Sequence, residues 1–258
     1  MAKAKDIALA ALFGLTFASC SNSTTQIPHN SYIAERLAKA EVFEERITKH
    51  LQESIDDVLT HSGLNGGYSF DEVPSPKINI EFYPVNEKMF YLESPFYFHE
   101  GRIHTPKISV LELSISKSLK NRKLESLVKD FGVKSLELKT SIDDDFINIA
   151  LSYQMDQYDG LSPQMYEITF PKLSKIGSIY KAAQSYVDEL AKGNHITKYD
   201  LERIEAKYGV MLAVLPRQSL NLSGPIEFSL VVVGDKQSVP HARKLMLMFA
   251  VQNKENII

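Results

Sequence analysis

The residues FINIALSY, Phe146 to Tyr153, set Ile147, Ile149, Leu151 and Tyr153 at alternate positions, with Asn148, Ala150 and Ser152 between them. A strand turns successive side chains to opposite faces, so this stretch fits a sheet with one buried face and one more polar face. A one-residue slip would carry the whole apolar set into water, which constrains any pairing it can make. The neighbouring stretches KSLELKT and MYEITF are set off from it by SIDDD and QMDQYDGLSPQ. Together the three predict an antiparallel meander.

Ser31 to His61 follows a different period. Ile33, Leu37, Ala40, Phe43, Ile47, Leu51, Ile55 and Val58 recur every three or four residues, which predicts one long amphipathic helix. Asn30 or Ser31 can cap its start and Gly63 can end it. A strict heptad would put Glu44 and Ser54 in the seam, so the 3.6-residue period fits better. Such a helix packs on its own domain or binds a partner.

After a loop rich in Gly, Pro, Asn and Asp (Gly63 to Lys77), INIEFYP reads as a strand. Glu100-Gly101 predicts a hairpin turn between FYF and RIHTP. Lys117 to Phe131 reads as a helix stopped by Gly132, and Ser178 to Lys192 as another closed by Gly193. A further helix opens at Thr197, with Asp200 three residues on, and stops at Gly209. VMLAVLP and IEFSLVVVG read as strands, the second buried on both faces. Pro240 is expected to start a last helix carrying Leu245, Leu247, Met248 and Phe249. The sum is an α+β fold, helices on a mainly antiparallel sheet, with residues 31–258 as a single domain.

Composition removes several function classes. A net charge of −3 gives no support for nucleic-acid binding, which normally shows a clustered basic excess. The one cysteine, Cys20, cannot form an intrachain disulfide or a cysteine-rich zinc site.

Around Cys20 the chain changes character. Lys3 and Lys5 precede twelve uncharged residues, Ile7 to Ala18 (IALAALFGLTFA), too few to cross a bilayer as a helix. A basic start, a short apolar centre and small residues before a break have the form of a secretory signal. With Phe17-Ala18-Ser19-Cys20 at its end, this segment resembles a bacterial lipoprotein precursor. The resemblance implies cleavage between Ser19 and Cys20, and acylation of the Cys20 sulfur by chains of the palmitate class. It implies residues 1–19 as signal peptide, residues 20–30 (Cys20 to Asn30) as polar tether, and a mature chain held on the bilayer. Phe17 departs from the usual leucine. Ser21, by analogy with lipoproteins of bacteria with two membranes, implies the outer membrane.

Four motifs in the remainder carry possible chemistry. HEGRIH spaces His99 and His104 five apart, whereas a helical zinc-protease signature needs four; two exposed histidines on a hairpin are the expectation. Asp143 to Asp145 and MDQYDG supply carboxylates in two loops, without the regular spacing of a calcium loop. Phe82, Tyr83, Phe90, Tyr91, Phe96, Tyr97 and Phe98 fall within seventeen residues. Of these, Tyr91, Phe96, Tyr97 and Phe98 are the candidate ligand-binding set, able to stack on a sugar ring or grip an apolar ligand if they face solvent; aromatics also favour strands and cores, which is the structural alternative. Neither a GxSxG elbow nor a phosphate-binding glycine loop is present in the sequence.

No metal or cofactor is expected. The expectation for function is a non-catalytic envelope lipoprotein that binds or assembles with an envelope protein or glycan. The alternative is a surface hydrolase or glycan-processing enzyme whose site is dispersed in sequence.

Overall fold

A computed structural model describes residues 28–69, 72–82, 90–121, 124–155, 165–193, 195–216, 228–235 and 245–252. Among them the fold is α+β with mainly antiparallel mixed sheets. The chain divides into two compact units, 1–41 and 42–258. In the first, the described residues form the start of helix α1 (Pro28–Leu64). That helix begins at a proline, whose fixed φ and missing N–H suit a first turn, and so takes in the last residues expected of the tether.

In the second unit, α1 carries Phe43, Ile47, Leu51 and Ile55, all fully buried, on one stripe. Their partner surface is the predicted meander: β4 (Val133–Ile142), β5 (Phe146–Met155) and β6 (Met165–Leu173), in the order β4-β5-β6. Ile147, Ile149, Leu151 and Tyr153 of β5 are buried and the residues between them are not. Phe43 meets Tyr153 with ring centroids 4.7 Å apart. Burying each such side chain contributes about 1.5–3 kcal/mol, which is why the two periods, 3.6 and 2, lock face to face.

The predicted helix 117–131 is instead two, α2 (Ile108–Lys120) and α3 (Leu124–Phe131). Helix α2 begins nine residues earlier than its polar second half suggested, and it lies along the free edge of β4. The Ser116 hydroxyl oxygen accepts from Thr140 N at 3.0 Å, and Glu112 Oε1 accepts from Ile142 N at 2.9 Å. Two backbone donors that an edge strand would leave open are thereby satisfied by side chains.

The second sheet has the order β1-β2-β9-β8-β7, with β3 (Arg102–Ile103) also paired to β2. Its members are β1 (Lys77–Phe82), β2 (Phe90–His99), β7 (Val210–Pro216), β8 (Phe228–Asp235) and β9 (Met246–Gln252). All its pairings are antiparallel except β2 with β9. The turn joining β2 to β3 is Glu100-Gly101, both at positive φ (49° and 76°), the geometry that hairpin turns favour.

Strand β9 corrects an expectation. Its residues were expected in a final helix from Pro240; 236–244 lie outside the described residues, and Met246–Gln252 is a strand. It lies between β2 and β8, buried on both faces, so its apolar run is continuous and carries no alternation. Leu and Met also favour helix, and a short run of this kind does not distinguish the two by period.

Helices α4 (Ile176–Ala191) and α5 (Lys198–Tyr208) cover one face of this sheet. Ile179, Ala183, Tyr186 and Val187 pack there with Val231, Val233, Leu247 and Phe249. The opposite face holds Ile80, Leu230 and Met248 in one cluster and Phe96, Phe228 and Ala250 in another. Helix α5 starts as the sequence predicts: the Thr197 hydroxyl accepts from Asp200 N, Asp200 Oδ2 accepts from Thr197 N, and Gly209 forms the left-handed stop.

Candidate functional site

Three of the four aromatic candidates are in the core. Phe96, Tyr97 and Phe98 are 3%, 0% and 2% exposed. A bulge between Phe96 and Phe98 in the pairing with β9 breaks the alternation. Tyr97 and Phe98 thus join one cluster while Phe96 joins the other. Tyr97 stacks on Phe249 at 4.1 Å and donates its hydroxyl hydrogen to Gly66 O at 2.8 Å. These three rings hold the sheet together and line no open groove. Tyr91 lies in β2, with its side chain outside the described residues, as are those of Phe82 and Phe90; Tyr83 is outside altogether.

Three tyrosine hydroxyls collect near this point. Burial raises the Tyr97 phenol well above its ordinary range, with Tyr68 and Tyr180 nearby adding to the effect. Tyr68 and Tyr180 are raised as well, first by burial. The Tyr180 hydroxyl donates to Pro106 O. All three therefore stay neutral at physiological pH, and two of them fasten the Gly66 and Pro106 loops to the sheet and α4.

The other sequence candidates are occupied structurally. His99 is half-buried with its ring 4.9 Å from that of Phe96, and His104 is exposed beyond the turn. In the acidic loop, Asp143 Oδ1 accepts from the backbone N–H groups of Asp145 and Phe146 at 2.9 and 2.6 Å. Asp144 pairs with Lys181 at 2.5 Å, and Asp145 pairs with Lys175. Those hydrogen bonds raise both lysine ammonium pKa values. This loop organises a turn and docks on the start of α4, where the Ser178 hydroxyl donates to Asp144 O. Asp156 and Asp159 lie outside the described residues, as do Ser19 and Cys20. Among the described residues no group of three His, Cys, Asp or Glu side chains is placed to hold a metal ion, and no helix is long and apolar enough to cross a membrane.

A shallow groove of about 380 Å³ runs between α1 and α3, lined by Arg46, Lys49, His50, Glu53, Ser126 and Leu127. Four of these lie at i, i+3, i+4 and i+7 on α1, one side of the helix and flanking its buried stripe. The Arg46 guanidinium carbon sits 5.4 Å from the centre of the Phe131 ring, and Phe131 is in turn 5.4 Å from Phe43. Packing thus holds the cation at the rim. The i, i+3, i+4 run of basic residues was visible in the sequence, but its meeting with Ser126, seventy-six residues beyond His50, was not.

No family model, curated protein or solved structure matches this chain.

Proposed function

We propose that this chain is a bacterial envelope lipoprotein, held on the bilayer through acylated Cys20, whose α+β domain binds another envelope component. The observation that carries the reading is the segment from Lys3 to Cys20: a basic start, twelve uncharged residues, the small pair Ala18-Ser19, and the chain's one cysteine directly after them. Each acyl methylene buried in a membrane contributes about 0.8 kcal/mol, so two or three chains on one residue retain a domain that one chain would release. The polar residues that follow, Ser21 to Gln26, suit a short tether before α1.

Binding is favoured over catalysis by how the described ionisable groups are engaged. The acidic loop is bonded to its own turn and to lysines, and the Tyr97 and Tyr180 hydroxyls are bonded to backbone carbonyls. The basic groove is open and shallow, suited to contact with a partner's surface or headgroup.

The reading is tested by expressing the Cys20→Ala chain in a bacterium with two membranes, with a palmitate analogue in the medium. The parent chain takes up the label, shortens to the Cys20 terminus and sediments with the outer membrane. The variant stays unlabelled and uncleaved. Normal processing of the variant overturns the anchor. Turnover of an envelope ester or glycan by the purified protein, abolished by one polar substitution, overturns the non-catalytic role.

A further inference from the structure

We propose that the groove between α1 and α3 is a binding site for a phosphate ester, with Arg46 and Lys49 as its main recognition groups. The site lies within residues 46–127 and does not depend on acylation of Cys20.

Successive turns of α1 put Arg46, Lys49 and His50 on one wall, and Ser126 faces them from α3. None of the ion pairs formed among the described residues uses Arg46 or Lys49. By contrast Lys77, Lys117, Lys172, Lys175 and Lys181 each pair with a carboxylate. Arg46 does not roam: its guanidinium lies over Phe131, so less side-chain entropy is lost when it engages a ligand. A planar guanidinium presents two parallel N–H donors to a pair of phosphate oxygens, and an ammonium adds a compact charge for a third.

Glu53 sets the polarity of the groove. It stands at i+4 from Lys49 and i+7 from Arg46, and its carboxylate repels an anion seated at its own end of the groove. The phosphate therefore sits toward Arg46, with the uncharged portion of the ester along Leu127. A volume of about 380 Å³ is at the small end of ligand sites, enough for a phosphate ester with a short organic arm.

The ester can come from a soluble metabolite or a lipid headgroup, and one titration series separates the two. The full chain carrying Cys20→Ser is purified in a non-ionic detergent and titrated with glycerol 3-phosphate, then with micelles with and without phosphatidylglycerol. We expect saturable binding that weakens about tenfold in Arg46→Ala and in Lys49→Ala, equivalent to about 1.4 kcal/mol each. Glu53→Gln should tighten binding two- to threefold, while Lys139→Ala, an equal charge change elsewhere, should leave it unchanged. Groove-dependent binding of glycerol 3-phosphate assigns a soluble ester; binding confined to phosphatidylglycerol micelles assigns a headgroup. Absence of saturable binding in both arms at low salt overturns the proposal. So does an equal loss in Lys49→Ala and Lys139→Ala, since that marks general charge attraction. Lys49 is exposed on α1, so its variant stays informative if Arg46→Ala proves unstable.

Discussion

The hydroxyl of Tyr153, in the middle of the three-stranded sheet, donates to Glu44 Oε1 on α1 at 2.9 Å. With the Lys172–Asp56 ion pair three turns further along α1, this bond helps fix which turn of the helix meets which residue of the sheet. The same ring packs on Phe43. Tyr153→Phe keeps that packing and removes the bond. It should cost about 0.5–1.5 kcal/mol, because the half-buried Glu44 can recover water. A lower urea midpoint at unchanged slope shows this. An unchanged midpoint would mean that the bond does not hold the helix in register.

Gly63 gives a test whose sign is decided by two opposed effects. It lies in the last turn of α1, where alanine is preferred over glycine by about 1 kcal/mol. A Cβ there would fall 1.8 Å from the carbonyl oxygen of Met246, a backbone atom of β9. Relieving that overlap means moving α1 or a central strand, at about 1–3 kcal/mol or more. Gly63→Ala should therefore destabilise the protein in thermal unfolding. Stabilisation would show that the end of α1 does not press on β9.

Buried phenols make the fold sensitive to alkali. Burial pushes the Tyr186 pKa up to about 12, and Tyr97 is raised well above its ordinary value by burial and by its tyrosine neighbours. In the unfolded chain these groups titrate near 10. Between pH 10 and 12 the unfolded state gives up the Tyr186 proton while the folded state keeps it. The unfolded state then binds fewer protons, so stability falls as pH rises. The contribution is fully present below pH 10 and is lost by pH 12, roughly 3 kcal/mol for a two-unit shift. Phenolate absorbance and loss of circular dichroism should rise together in that window, and Tyr186→Phe should move the midpoint upward. Exposed rings such as Tyr199 ionise in the intact fold, so the signal read is the absorbance difference between the parent chain and Tyr186→Phe; a Tyr186 contribution that titrates near pH 10 with the fold intact would contradict the burial.

What was legible in the sequence follows from which patterns are local. Alternation in Phe146 to Tyr153 identified a one-faced strand, and the 3.6-residue stripe from Phe43 to Ile55 identified its helical cover. Thr197, Asp200 and Gly209 marked both ends of α5, because capping is settled within a few residues. Met246 to Gln252 was misassigned because a strand buried on both faces shows no period. The division of the Lys117 to Phe131 helix was missed because α2 takes its place from Glu112 and Ser116 bonding the edge of β4, a relationship across about thirty residues. The aromatic segment left a ligand surface and a core both open in the sequence, because composition does not reveal which face of a sheet is covered. The groove is illegible in the sequence for the same reason: its two walls meet only through the fold.

The central claim is attachment through Cys20, and the mass of the N-terminal peptide from membrane-purified protein tests it most directly. The account predicts a peptide that begins at Cys20 and carries a diacylglyceryl group on its sulfur. A peptide that begins at or near Met1, with a free Cys20 thiol, would contradict it.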